Sequence, residues 1–326
     1  MIPPFVNNLF ELSETRLSEL VQQSFHFQYN SNPVYRSFCD ALRIETTEES
    51  TMEDIPFLPI SFFKTHRIES TEFIPETLFE SSGTSQTIQS KHYVKSLTLY
   101  EEAFTKAFVR QYGLPENYCF LGLLPSYLER SHSSLVYMVQ KLMEKSNHPM
   151  NGFYLNNFQE LFDRLKLLEK GGQPTILIGV TFGLLDFAEQ YQLPLTNTII
   201  METGGMKGRR EEMTREQVHL QLKRSFSVET IHSEYGMTEL LSQAYSKGNG
   251  IFQCPPWMKV LVRDEDDPLH ISTVGKGAIN IVDLANVYSV SFIATDDVGE
   301  VFDDGSFRVL GRMDNSDIRG CSLLAL

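Results

Sequence analysis

Along the middle of the chain, short blocks of consecutive apolar residues alternate with stretches whose apolar positions recur every three or four residues. The blocks NYCFLGLLP, PTILIGV, TNTIIMET and SVETIHSEY predict buried strands. Helices are predicted between them at residues 100–112, in SSLVYMVQKLMEK, and at 158–169, 181–191 and 209–225, with Gly171-Gly172 as a stop signal. Strands alternating with helices of this length predict a parallel α/β sheet. Upstream, residues 1–50 read as helices. Residues 52–63 carry Pro56 and Pro59 and predict an exposed connector. The stretch TEFIPETLFESSGTSQTIQSKHYVKS predicts strand, loop and strand. Past Gly250 the pattern changes. KVLVRD, GAINIVDL, VSFIATD, GEVF and FRVLG are short strands at close spacing with Asp-Gly turn chemistry, which predicts a small β-rich subdomain. The expected organisation is an N-terminal helical segment (1–50), an α/β core (51–250), a β-rich subdomain of the same unit (251–310) and a tail (311–326).

Composition narrows the classes. The 326 residues carry 28 Lys+Arg against 42 Asp+Glu, a net charge of −14, with 41% apolar residues. That is too apolar for disorder, and its acidity argues against affinity resting on phosphate neutralisation of nucleic acid. No apolar run is long enough to span a bilayer, and the N-terminus MIPPFVNNLFELSE lacks the basic region of a signal peptide. Cys39, Cys119, Cys254 and Cys321 lie far apart without a CxxC pair, so neither a disulfide framework nor a zinc site is indicated. A reduced, cytoplasmic protein is the expectation.

Three segments carry candidate chemistry. Ser81-Ser82-Gly83-Thr84-Ser85 follows a predicted strand; hydroxyls and backbone N–H groups on one turn suit phosphate oxygens, although alone such a run is most often a plain polar loop. No Walker A sequence occurs. Tyr235-Gly236-Met237-Thr238-Glu239 ends a strand: an aromatic to stack on a base, a glycine for a tight turn, and a carboxylate for a hard cation. Its ordinary reading is a strand-to-helix turn capped by Thr238. Third come Asp296, in FIATDDVGEV, and Arg312, in Gly311-Arg312-Met313-Asp314, a carboxylate for a ribose diol and a cation to clamp hydroxyls or phosphate. Each alone reads as surface turn chemistry.

In this order the three segments resemble the adenylate-forming superfamily: acyl-CoA synthetases, luciferases and peptide-synthetase adenylation domains. The resemblance implies ATP and Mg²⁺ as cosubstrate and metal. It assigns ATP phosphates to Ser81, Ser82, Gly83, Thr84 and Ser85, adenine stacking to Tyr235 beside Gly236, magnesium to Glu239, the α-phosphate to Thr238, and the ribose to Asp296 and Arg312. Gly204-Gly205 in METGGMKG falls at the adenine-pocket segment. The phosphate loop departs from the family, reading Gln86-Thr87-Ile88-Gln89 with Lys91 displaced where Gly-x-Pro-Lys is usual. The sequence also runs only a short way past Arg312, where relatives continue into a swivelling C-terminal lid with a catalytic lysine. The expected fold is therefore α/β, the adenylate-forming large domain without that lid.

A narrower resemblance is to the LuxE-like acyl-protein synthetases of bacterial fatty-acid reductase complexes. It rests on SSGTS, on LLPSYLER at 123–130 followed by Ser133-Ser134-Leu135, on TGGMKG at 203–208 and on RGCSL at 319–323. It implies activation of a fatty acid, long-chain by expectation, as acyl-AMP, acylation of Cys321, and hand-over to a protein acceptor such as an acyl-reductase. Cys321 has an ordinary reading as a small buried apolar residue. Lys207 is the candidate cation in place of the lid lysine, against a solvated surface lysine. Three rivals stay open: a ligase delivering to coenzyme A or an acyl carrier protein, a thioesterase or acyltransferase, and a non-catalytic nucleotide-binding module. The second would use Thr181 in Gly179-Val180-Thr181-Phe182-Gly183, the shape of a nucleophile elbow with threonine for serine.

Overall fold

A computed structural model describes residues 3–11, 14–43, 51–82, 88–124, 131–155, 157–204 and 213–313. Helices α1 (Glu14–Ser31) and α2 (Pro33–Leu42) come first. Asn32 caps α2 by accepting the Tyr35 N–H, and Pro33 occupies the first turn, where its missing N–H costs nothing. Strand β1 (Leu58–Pro59) and helix α3 (Phe62–Thr65) lead to the hairpin β2 (Thr77–Glu80) and β3 (Lys91–Val94). The alternating stretch then runs α4 (Leu97–Tyr112), β4 (Cys119–Leu123), α5 (Ser134–Ser146), β5 (Gly152–Phe153), α6 (Phe158–Gly171), β6 (Thr175–Val180), α7 (Thr181–Gln190), β7 (Thr198–Thr203), α8 (Arg215–Phe226), β8 (His232–Tyr235) and β9 (Ala244–Ser246). Strands β10 (Met258–Arg263), β11 (Ile271–Ser272), β12 (Gly275–Asp283), β13 (Phe292–Val301) and β14 (Phe307–Arg312) complete it.

The apolar blocks form one sheet in the order β5-β4-β6-β7-β8-β9, parallel except for β9. Every residue of β4 is buried, as expected of a sheet covered on both faces. Gly172 ends α6 in the left-handed conformation (φ 66°) and returns its N–H to the last turn. The second sheet, β1-β13-β12-β10-β11 with β14 on β13, is antiparallel apart from β1. One apolar core continues from the parallel sheet through Tyr235 and Phe252 to Trp257 and Phe292, and on to Phe25 and Tyr35 of the N-terminal helices. Gln28 ties α1 to the β12–β13 connection, donating to Val287 O at 3.0 Å and accepting the Ser291 N–H at 2.9 Å.

Two expectations are corrected. Residues 52–63 are no exposed connector: Ile55, Phe57, Leu58 and Phe63 are buried, and β1 pairs in parallel with β13. Burial of those apolar side chains outweighs the turn signal of two prolines, and Pro59 lies on an edge strand, where a missing N–H is tolerated. VSFIATD and GEVF are also not separate strands. They form the single β13, and Asp296-Asp297 marks a bulge within it instead of a turn.

Candidate active site

The hydroxyl-rich loop and the YGMTE turn meet. Ser81 and Ser90 close the base of the β2–β3 loop: the Ser81 N–H donates to Ser90 O (3.1 Å) and the Ser90 N–H to Ser81 Oγ (3.0 Å). Ser82 is exposed beside them, and Gly83, Thr84 and Ser85 lie outside the described residues. His92, buried on β3, reaches Thr238 O at 2.7 Å through Nδ1. Burial pushes its pKa down to about 4, so the ring is neutral and Nδ1–H is the donor. Ser90 also bonds the Glu239 side chain, which is 5% exposed. Burial raises that carboxyl, opposed by the Ser90 bond and the charges of Arg312 and Lys64. Behind the turn, Asn286 Nδ2 donates to Glu239 O (2.7 Å), and Asp283 accepts the N–H groups of Leu241, Ser242 and Ala285.

Tyr235 stands at the C-terminal end of β8, its ring packed against Phe252 and Phe307 with centroids 5.8 and 5.4 Å away. Its hydroxyl donates to Asp297 Oδ2 at 2.9 Å, and Arg312 Nε donates to Asp297 Oδ1 at 3.1 Å. The structure thus joins Tyr235 and Arg312, but through Asp297 and not the neighbouring Asp296. The Asp296 carbonyl accepts the Met313 N–H (2.8 Å), and its carboxylate is felt by Arg263. A Cβ on Gly236 would lie 2.5 Å from Glu234 Oε1, so a larger residue there would require the Glu234 carboxyl to shift.

Two buried carboxylates next to these motifs went unnoticed in the sequence. Glu202 accepts from Arg215 Nε (3.1 Å), Ser233 Oγ (3.0 Å) and Thr181 Oγ1 (3.1 Å), and lies 3.3 Å from His219 Nε2. Burial alone would raise its pKa, but His219, Arg215 and Ser233 hold it below the usual value. Thr181 Oγ1 also donates to the carbonyl of Gly204, which sits at φ +71° at the end of β7. The Thr181 proton is therefore directed to a carboxylate and a carbonyl, an arrangement unlike a nucleophile paired with a histidine base. Gly205, Lys207 and Cys321 lie outside the described residues. Glu234 accepts from the Thr203 hydroxyl, and burial raises its pKa to about 7. For Glu202 the signal available in sequence was a carboxylate at the end of the apolar run TIIMET; the strand HSEY around Glu234 carries no such contrast.

A family model described as "Acyl-protein synthetase, LuxE" matches residues 5–325. The chain belongs to this family. A LuxE relative, the long-chain-fatty-acid–luciferin-component ligase of Vibrio harveyi, is 20% identical over 334 residues, covering 94% of this chain and 86% of that protein. Among solved structures, ATP-bound MatB from Rhodopseudomonas palustris superposes with a TM-score of 0.54 at 15% identity, over 72% of this LuxE chain and 47% of MatB. O-succinylbenzoate coenzyme A synthetase (MenE) from Bacillus subtilis, in complex with ATP and magnesium, gives 0.52 at 16% identity, over 76% and 54%. The chain thus spans about half the length of these two proteins, and its α/β fold is that of the large part of adenylate-forming enzymes.

Proposed function

We propose that this LuxE-family chain activates a carboxylic acid with ATP as acyl-AMP and passes the acyl group to a protein thiol, that of Cys321. The observation carrying the reading is the convergence of three sequence-distant segments. The base of the 81–90 loop touches Glu239, Glu239 feels Arg312, and Arg312 and Tyr235 share Asp297. A hydroxyl-rich loop, a metal-capable carboxylate and a diol-binding carboxylate in that order fit a nucleotide lying from triphosphate to ribose. Asp297, already oriented by two donors, takes the ribose role expected of Asp296.

The chemistry follows from charge. A carboxylate oxygen of the acid attacks the α-phosphorus, the bond to the bridging oxygen breaks, and pyrophosphate leaves. Ser82, Thr84 and Thr238 supply donors to the phosphate oxygens, Ser81, Gly83 and Ser85 complete the loop, and Gly204 and Gly205 border the adenine beside Tyr235 and Gly236. Glu239 fits a magnesium ion: it is buried, and no cation lies within ion-pair distance of it among the described residues. No group of three His, Cys, Asp or Glu side chains clusters among those residues, which suits an ion held by one carboxylate plus substrate phosphates. Such an ion supplies charge neutralisation at the triphosphate. Lys207 is the candidate cation near the new anhydride. The Cys321 thiolate then attacks the acyl carbonyl, AMP departs with the bonding electron pair, and a thioester remains.

The likeness to the long-chain-fatty-acid–luciferin-component ligase of Vibrio harveyi supports a long-chain fatty acid as substrate and a partner protein as acceptor. An acyl-reductase is the acceptor proposed here. No helix among the described residues is long and apolar enough to cross a membrane. Delivery to coenzyme A or an acyl carrier protein is the second reading, supported by the coenzyme A synthetase with a similar fold. Pyrophosphate exchange across a panel of acids, with and without Cys321→Ala, tests the activation step that both readings share, and acyl labelling of the protein separates them. Acid-dependent exchange that survives the substitution supports activation as a step that precedes the thiol; no exchange with any acid overturns the proposal.

A further inference from the structure

The register of β12 against β13 breaks once. Val298 pairs with Ala278 and Ala294 with Asn280, so Thr295, Asp296 and Asp297 stand opposite Ile279 alone. Extra residues in one strand leave backbone groups without ladder partners and re-aim the side chains they carry. One cation collects the freed carbonyls. Arg263, at the end of β10, donates through Nη1 to Ile279 O (2.8 Å) and Asn280 Oδ1 (2.7 Å), and through Nη2 to Thr295 O (2.6 Å). Thr295 fastens the other side: its hydroxyl donates to Ile279 O at 2.9 Å and accepts the Asp297 N–H at 3.1 Å.

Arg263 is 8% exposed, and its carboxylate neighbours Asp296 and Glu265 act on it only through their charge. Among the described residues Arg263 has no ion-pair partner; a guanidinium buried in that way is costly unless its donors are used, and here they are used on the bulge. Its planar fork spans both strands of the bulge, which the single ammonium of a lysine would not.

We propose that Arg263 is a positioning residue for the nucleotide ribose: by pinning the bulge it aims Asp297 at the place shared with Tyr235 and Arg312. The inference rests on Asp297 being the diol acceptor, as proposed above. It predicts that loss of Arg263 is felt by a nucleotide with a ribose diol and hardly at all by one without.

The experiment is titration of the full chain with ATP and with 2′,3′-dideoxy-ATP, for wild type, Arg263→Met, Arg263→Lys and Thr295→Val. Wild type should bind ATP more tightly than the dideoxy nucleotide. Arg263→Met should weaken ATP by about tenfold, the scale of a hydrogen bond to a charged group, and leave the dideoxy nucleotide within about twofold. Arg263→Lys should recover part of the ATP affinity, and Thr295→Val should shift ATP in the same direction as Arg263→Met. If Arg263→Met does not fold, Thr295→Val, which keeps the side-chain shape, is judged by the same criterion. Equal weakening of both nucleotides, or none, overturns the role of Arg263. A wild type that binds both nucleotides equally overturns the ribose role of Asp297, and with it this inference.

Discussion

The Tyr235 hydroxyl donates to the Asp297 carboxylate at 2.9 Å, joining β8 of the parallel sheet to β13 of the antiparallel one. Arg312 holds the other carboxylate oxygen, so Asp297 is fixed from two sides, whereas among the described residues no hydrogen bond or ion pair holds the Asp296 carboxylate. The two aspartates can be separated by single substitutions. Asp297→Ala should raise the KM for ATP by about tenfold or more, whereas Asp296→Ala should raise it less than about threefold. The opposite order in exchange kinetics would return the ribose role to Asp296. Tyr235→Phe, which removes only the donor, should cost about 1 kcal/mol of stability by denaturant unfolding.

The alternation of apolar blocks and helical periods made the parallel sheet legible, because a doubly covered strand has to be apolar along its whole length. The motif order made Ser81, Glu239, Tyr235 and Arg312 legible as candidates. Which of two adjacent aspartates faces Tyr235 was not, because a strand's period of two fails inside a bulge, and this bulge is fastened by Arg263 from another strand. His92 and Asp283 escaped for a related reason. Their partners, Thr238 for one and Leu241 and Ser242 for the other, lie on distant segments that only the fold brings together.

Glu239 is expected to hold magnesium rather than a structural partner. Glu239→Gln keeps the size and the capacity to accept from Ser90 but removes the charge a hard cation requires. Acid-dependent pyrophosphate exchange should fall steeply and recover in part as Mg²⁺ is raised. Burial raises the pKa of this carboxyl, so wild-type exchange should decline as pH falls through that raised value. A loss that follows only a lowered melting temperature, indifferent to Mg²⁺, would assign Glu239 a structural role.

Glu234 makes stability depend on pH with a defined sign. Burial raises its pKa from 4.5 to about 7, so between those values the folded chain binds more protons at this site than the unfolded one. Its contribution is therefore complete below pH 4.5 and is lost as pH rises through 7, by an amount on the order of 3 kcal/mol. Glu234→Gln retains an acceptor for the Thr203 hydroxyl and carries no charge. Its stability relative to wild type, measured by urea unfolding from pH 4.5 to 8, should climb across this window. A difference that stays flat with pH would mean that Glu234 ionises in the folded chain as it does in the unfolded one.

Cys321 is expected to carry the acyl group between the two half-reactions. Acyl-AMP is electrophilic enough that a thiol of ordinary pKa, roughly 8.5 and only slightly ionised at neutral pH, can attack it. The neighbouring Arg319 would raise the thiolate fraction wherever the two side chains approach each other. A thiol on the same chain as the bound anhydride acts at a higher local concentration than a free thiol would. The other three cysteines are poor competitors. Burial pushes the thiols of Cys39, Cys119 and Cys254 up to about 12, which leaves almost no thiolate at neutral pH. Incubation with ATP, Mg²⁺ and a labelled fatty acid should leave label on the protein, released by neutral hydroxylamine as expected of a thioester. Cys321→Ala should retain pyrophosphate exchange and lose the label. If that variant is labelled as fully as wild type, or peptide mapping finds the label on Cys39, Cys119 or Cys254, transfer to Cys321 is wrong. Delivery of the acyl group to coenzyme A or a carrier protein then becomes the better account of the same activation chemistry.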